Sequence, residues 1–266
     1  MARMTGERPL EGVTPDSLLA LHDAGYRELA GRLGPGRVLD AGCGLGFESA
    51  KLAGPGRTVV GVDYDAATAV EARRRYGDAG LTTACMDAAR LGLRTGSFDY
   101  ACSSHLVEHF SQPAHHVAEL ARVLADDGTL LLVTPNRPAD FENPFHLVLF
   151  VRSELEELLG RHFAEVWVGG LDGKPAVKED FAARRAKANR VLALDFLHLR
   201  HRIPRRWYIG LYTRALPVAY RLMARGDSGG STGITADDFF VTDEVDDTTL
   251  VLMAVARRPI RGAAGR

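Results

Sequence analysis

The chain has few cysteines, no long apolar run and no biased composition, and each of these shortages removes a class of protein. Three cysteines (Cys43, Cys85, Cys102) in 266 residues, with no CxxC pair, make no disulfide framework and no cysteine-based zinc or redox motif. They read as reduced and buried, as in cytosol, and a cytoplasmic location is expected. No apolar stretch approaches the ~20 residues that cross a bilayer. The opening MARMTGERPLEG is polar and has no apolar signal core. Short repeats and a disordered bias are absent too. What remains is an ordinary globular composition, 46% hydrophobic and 25% charged, enough for a full core. The formal net charge of −1 and the lack of a recognisable RNA module argue against nucleic acid as a partner.

The pattern that is present alternates strands with helices. Thr14-Pro15-Asp16 reads as a helix start with Thr14 as N-cap, and Leu18, Leu19, Leu21, Leu29 and Leu33 as its apolar stripe. Short apolar strands follow at 37–40, 58–63, 81–85, 98–102, 129–134 and 163–168, with a last one from Thr248 to Ala256. Helices are expected near 46–53 and over 66–76, 113–125 and 152–160. This rhythm predicts an α/β fold, a doubly wound, mostly parallel sheet covered on both faces.

Ligands of such sheets bind beyond the carboxyl ends of the strands. The first strand ends in VLDAGCGLG, residues 38–46, where Gly42, Gly44 and Gly46 let the backbone turn sharply and approach a ligand. A dinucleotide fingerprint needs Gly or Ala at position 47, and this chain has Phe47. Asp40 would repel a pyrophosphate and suits a cationic ligand better. Asp63, ending the second strand, can accept two hydrogen bonds from a ribose diol. Asp87, after the third, can accept from an adenine amino group with Met86 against the ring.

Together these motifs resemble the class I S-adenosylmethionine-dependent methyltransferases. VLDAGCGLG is similar to the family's first motif, VVGVD to its second, CMDA to its third, SFDYACSSHLVEHF to its fourth, and RVLADDGTLLLVTPN to the strand beyond. The resemblance covers about residues 20–170 and returns at the final strand. It implies a Rossmann-like, seven-stranded sheet with S-adenosylmethionine as cofactor. Asp40 and Gly42 would lie near the amino-acid end of that cofactor, with Gly44 and Gly46 in the loop. Asp63 would hold the ribose, Met86 and Asp87 would flank the adenine, and Tyr64 and Ala88 adjoin them. Ser103 and Ser104 would border the methyl group.

Residues 105–109, His-Leu-Val-Glu-His, place His105, Glu108 and His109 at i, i+3 and i+4, which share a face if the segment is helical. With His146 they are similar to the E-x-x-E-H plus histidine of a metal-dependent branch that methylates hydroxyls. His105 replaces that branch's first Glu, which would favour Zn²⁺, Fe²⁺ or Co²⁺ over Mg²⁺. His109, His146 and His105 are also candidate general bases, and a purely orienting role is the third reading. The expected activity is O-methylation of a small-molecule or sugar hydroxyl, the acceptor glycan-like and anionic in one version. RNA 2′-O-methylation, N- or C-methylation and a non-catalytic scaffold are the rivals.

The domain reading is a cofactor-binding domain over 1–170 and 241–266 with a helical insertion over 171–240. Residues 184–225 carry eleven Lys/Arg and one acid, Asp195. A lid, an anion site and a membrane-surface helix centred on Arg200, Arg202, Arg205, Arg206, Trp207 and Tyr208 compete with a plain solvated face. An oligomer is compatible with any of them.

Overall fold

The computed structural model describes residues 14–140, 143, 145–192, 210 and 233–261. Eight strands form one sheet: β1 (Gly36–Ala41), β2 (Arg57–Asp63), β3 (Leu81–Cys85), β4 (Phe98–Ser104), β5 (Leu124–Pro135), β6 (Phe163–Gly173), β7 (Phe239–Thr242) and β8 (Val251–Pro259). The helices are α1 (Asp16–Gly31), α2 (Ala66–Tyr76), α3 (Pro113–Val123), α4 (Arg152–Gly160) and α5 (Pro175–Leu192). The strand order is β3-β2-β1-β4-β5-β8-β6-β7. The first five pair in parallel, and β8 runs antiparallel to both β5 and β6. The order reverses between β1 and β4, so the loops after these two strands diverge and leave a crevice.

Both faces of the sheet are covered, and the period of two along each strand decides which residue faces which layer. Leu39, Ala101, Leu130, Leu132 and Ala254 pack with Val117 and Leu120 of α3 and Leu155 and Leu159 of α4. Their neighbours Val38, Cys102, Leu131, Val133 and Met253 pack with Leu21, Ala24 and Leu29 of α1 and Val177 of α5. Strands buried on both faces are why the sequence shows continuous apolar runs there.

The sheet has eight strands where seven are expected. The additional one, β7, pairs antiparallel with the far end of β6, from Gly170↔Thr242 to Gly173↔Phe239. Two glycines in β6 permit this close edge. A Cβ at Gly169 would stand 2.5 Å from the Thr242 carbonyl oxygen, and one at Gly170 would stand 2.5 Å from Thr249 Cγ2. Strand β6 and strand β7 therefore occupy both ends of the 171–240 stretch, and helix α5 fills 175–192 between them. Apart from residue 210, the basic, aromatic segment beyond residue 192 lies outside the described residues.

Three local expectations are corrected. The helix near 46–53 is a single 3₁₀ turn, Ser49–Leu52, because Pro55 three residues on disfavours helix and the chain must reach β2 at Arg57. Pro15, not Thr14, precedes the first residue of α1, and no side chain caps it. Cys43 and Cys102 are buried as expected, but Cys85 is exposed, its thiol 3.3 Å from the Tyr64 carbonyl oxygen.

Candidate functional site

A cavity of about 1510 Å³ opens over the carboxyl ends of β1, β2 and β4. It exceeds the ~300–1,000 Å³ typical of one-ligand pockets, which leaves room for two ligands side by side. Gly42, Gly44, Gly46, Asp63, Tyr64, Met86, Asp87 and Ala88 all line it.

Backbone geometry explains the glycines. Gly42 and Gly46 both adopt φ +82°, which disfavours any residue with a Cβ. At Gly46 a Cβ would also stand 2.9 Å from Leu81 Cδ2 and 3.0 Å from Ala72 Cβ. The loop is then tied to β2. The Gly42 and Cys43 amides donate to the Val62 carbonyl at 2.8 and 3.0 Å. Asp63 knits the crevice: its carboxylate accepts from the Gly44 amide at 3.1 Å and the Asp65 amide at 2.9 Å, and its own carbonyl accepts from the Met86 amide at 3.0 Å. One carboxylate thus positions the first, second and third motifs together, and with about four acceptor sites it can also receive ligand hydroxyls. The Asp87 carboxylate accepts from the Ala89 amide at 2.9 Å. The cradle of small residues over an acidic ribose-type contact fits S-adenosylmethionine.

Asp40 and Ser103 sit elsewhere. Asp40 is fully buried beneath the glycine loop and does not line the cavity. Tyr26 and Ser49 donate their hydroxyls to it, yet burial lifts its carboxyl to about 7. Ser103 is fully buried, and its hydroxyl pairs with His116 Nε2 at 3.0 Å, while His116 Nδ1 meets the Ala88 carbonyl at 3.0 Å. Burial lowers His116 to about 4, so this imidazole is neutral and must donate through Nδ1 and accept through Nε2. Ser104, not Ser103, reaches the cavity.

The His-Leu-Val-Glu-His string is not a helix. His105 takes φ +50° and a 3₁₀ turn follows over Val107–His109, so the expected shared helical face does not form. The ligand-type atoms of Glu108, His109 and His146 nonetheless lie within 4.8 Å of one another. His105 stands outside that group, its Nδ1 3.6 Å from Glu108 Oε1 and its ring 4.4 Å from the ring of His22. Glu108 is fully buried; Thr134 donates to its Oε2 at 3.0 Å, and its Oε1 has no hydrogen-bond partner. Burial pushes this carboxyl up, but the imidazoles of His105, His109 and His146 outweigh it and hold it down at about 2. His109 Nδ1 donates to the Phe145 carbonyl at 3.0 Å, which leaves Nε2 on the metal-facing or substrate-facing side. His146 Nδ1 meets Asp140 at 2.7 Å and its Nε2 meets the Asn143 amide at 3.1 Å. Burial pulls His146 down, but Asp140 and then Glu108 outweigh it and raise its pKa.

An imidazole backed by a carbonyl, another by a carboxylate, and an orphaned carboxylate oxygen are the supports that metal ligands use. Ligands about one ion at ~2.1 Å lie at most ~4.2 Å apart, close to the 4.8 Å within which these three fall.

Four residues of the site escape a reading of motifs. His22 and Tyr26, both on α1, sit before the first glycine loop among the leucines of that helix and belong to no motif. Asp140 and His116 are recognisable only through the partners they meet.

Comparison with known proteins agrees with this architecture. A methyltransferase-domain family model matches residues 39–132. The matched span and the similar proteins support an S-adenosylmethionine-dependent methyltransferase family. The chain is 35% identical over 163 residues to a probable S-adenosylmethionine-dependent methyltransferase of Mycolicibacterium smegmatis, covering 59% of this chain and 63% of that one. The chain thus spans less than two thirds of that relative's length. It is 36% identical over 144 residues to the nocamycin O-methyltransferase of Saccharothrix syringae, covering 46% and 50%. Among solved structures, a methyltransferase of Thermotoga maritima described as a possible histamine N-methyltransferase superposes with a TM-score of 0.57 at 16% identity, covering 90% of each chain, which shows a shared fold. No described helix is long and apolar enough to cross a membrane.

Proposed function

We propose that this chain is an S-adenosylmethionine-dependent O-methyltransferase acting on a hydroxyl of a small molecule or sugar. The observation that carries the reading is the adjacency of two sites in one cavity. The Asp63-organised glycine loop occupies one side, and a histidine-rich wall of His22, His105 and His109 occupies the other. Similarity to the nocamycin O-methyltransferase supports a hydroxyl acceptor.

S-adenosylmethionine, when bound, supplies an activated methyl: the sulfur–carbon bond breaks, sulfur keeps the electron pair as a neutral thioether, and the acceptor oxygen gains the carbon. The chain's residues do the rest. Asp63 receives the ribose hydroxyls and so fixes where the methyl stands. Met86 and Ala88 pack beside the adenine, Asp87 accepts from its amino group, and Tyr64, 61% exposed, adjoins the ribose at the rim. His109, with Nδ1 occupied by Phe145, takes the acceptor's proton at Nε2. Aligning oxygen, carbon and sulfur is the larger part of the work.

A second reading has its own observation. Glu108, His109 and His146 would hold a divalent ion, with one carboxylate and two imidazoles favouring Zn²⁺, Fe²⁺ or Co²⁺ over Mg²⁺. Such an ion would lower the acceptor's pKa. The test is transfer of tritiated methyl from S-adenosylmethionine to a panel of neutral alcohols, phenols, sugars and amines, repeated after chelation and after metal is restored. Label in hydroxyl acceptors that resists chelation supports His109 as base, and label that needs restored metal supports the second reading. Label confined to amines contradicts both.

A further inference from the structure

Helix α1 turns one face to the cavity: Leu19, His22, Asp23 and Tyr26, at i, i+3, i+4 and i+7. Three of these are accounted for. Leu19 is apolar, the Asp23 carboxylate is paired with Lys51 at 2.8 Å and Arg27 at 3.0 Å, and the Tyr26 hydroxyl is given to Asp40. His22 has no hydrogen bond among the described residues. Its ring lies against His105, centroids 4.4 Å apart and planes tilted by 48°. His22 is half-buried, whereas His105 carries a buried deficit, its Nε2 being buried without a partner. His105 also adopts φ +50°, an uncommon conformation for a residue with a side chain, and its amide N–H donates to the Val133 carbonyl at 2.8 Å. Two imidazoles from different elements thus meet at the cavity wall with hydrogen-bonding capacity unspent. A buried polar group left so costs roughly 1–3 kcal/mol, and such groups call for an explanation.

We propose that His22, together with His105, binds the methyl acceptor by hydrogen-bonding an uncharged hydroxyl on an apolar-bodied molecule. This rests on the O-methyltransferase reading above and deepens it by naming the acceptor class. The body is apolar because Leu106, Phe110, Ala20 and Ala236 share this side of the cavity. It is not anionic because the Glu108 carboxylate stands 3.6 Å from His105 and the nearby cations, Arg27 and Lys51, are committed to ion pairs. The anionic acceptor considered from the basic segment has no counterpart on this wall.

Catechol is the probe, added to protein saturated with S-adenosylhomocysteine and labelled with ¹⁵N-histidine. Catechol is expected to shift the ring nitrogens of His22 and His105 while leaving His115, exposed on α3, unmoved. Its calorimetric affinity is expected to fall about tenfold in His22→Leu, the loss of roughly one hydrogen bond, and to return in His22→Gln. S-adenosylhomocysteine affinity should be equal in all three proteins. Undiminished catechol binding in His22→Leu overturns the proposal, as do unmoved His22 and His105 signals or no catechol binding to the loaded protein. The spectra use the unaltered chain, so a variant that fails to fold leaves that arm intact. Failure of S-adenosylhomocysteine itself to bind is a different result, which removes the methyltransferase reading and this one with it.

Discussion

Asp40→Asn separates a buried charge from the fold around it. In the folded protein Asp40 has no exposure, and burial lifts its carboxyl from 3.8 to about 7 despite hydroxyl donors from Ser49 and Tyr26. Between about pH 4 and pH 7 the folded chain therefore holds a proton that the unfolded chain has released. Stability must fall as pH rises through this window and level off above it. A shift of about three units corresponds to roughly 4 kcal/mol. Asparagine keeps the shape, still accepts from one hydroxyl and cannot ionise. At pH 4 the variant should lose about 1 kcal/mol through a weakened hydrogen bond. At pH 8 it should be more stable than the parent by about 2–3 kcal/mol. Urea unfolding of both proteins without ligand, from pH 4 to 8.5, measures the difference directly. A difference that stays constant across that range refutes the reasoning, because it would mean that Asp40 is ionised in the fold at every pH tested.

Other expectations follow from single contacts. Gly46→Ala places a Cβ against Leu81 and Ala72 at φ +82°; it should cost about 1–3 kcal/mol in thermal unfolding and weaken S-adenosylhomocysteine binding. Ser103→Ala leaves His116 Nε2 without its partner and should destabilise by about 1–3 kcal/mol, with S-adenosylhomocysteine affinity unchanged because Ser103 does not line the cavity. Under the metal reading His146→Ala should abolish methyl transfer and keep cofactor affinity, as read by a turnover assay beside calorimetry; unchanged turnover would contradict that reading. Leu131→Ala, in the layer under α1, should cost about 2–5 kcal/mol in urea unfolding.

The sequence was most informative where physics is local. Apolar runs such as Leu130–Val133 declare strands buried on both faces, and Gly42 to Gly46 after Asp40 declares a turn that only glycine accommodates. Asp63 was legible as a cavity residue at the end of β2, though not as the residue that also binds the Gly44 and Asp65 amides, since that depends on β1 and β2 lying side by side. Strand β7 was illegible because four residues carry too little periodicity, and its pairing depends on glycines seventy residues away. The helical reading of 105–109 failed for a physical reason: spacing at i, i+3 and i+4 implies a shared face only if the backbone is helical, and His105 leaves the helical region. The same departure removed His105 from the Glu108, His109 and His146 group and set it against His22. Ser103 and Ser104 were both expected near the methyl group from their place at the end of β4, but alternation along the strand turns Ser103 into the core toward His116 while Ser104 faces the cavity.

Calorimetric titration with S-adenosylhomocysteine, for the unaltered chain and for Asp63→Ala, tests the central claim most directly. The account predicts micromolar binding that weakens about a hundredfold in the variant, the loss of two charge-assisted hydrogen bonds. No binding to the unaltered chain, or equal binding by both, would contradict it.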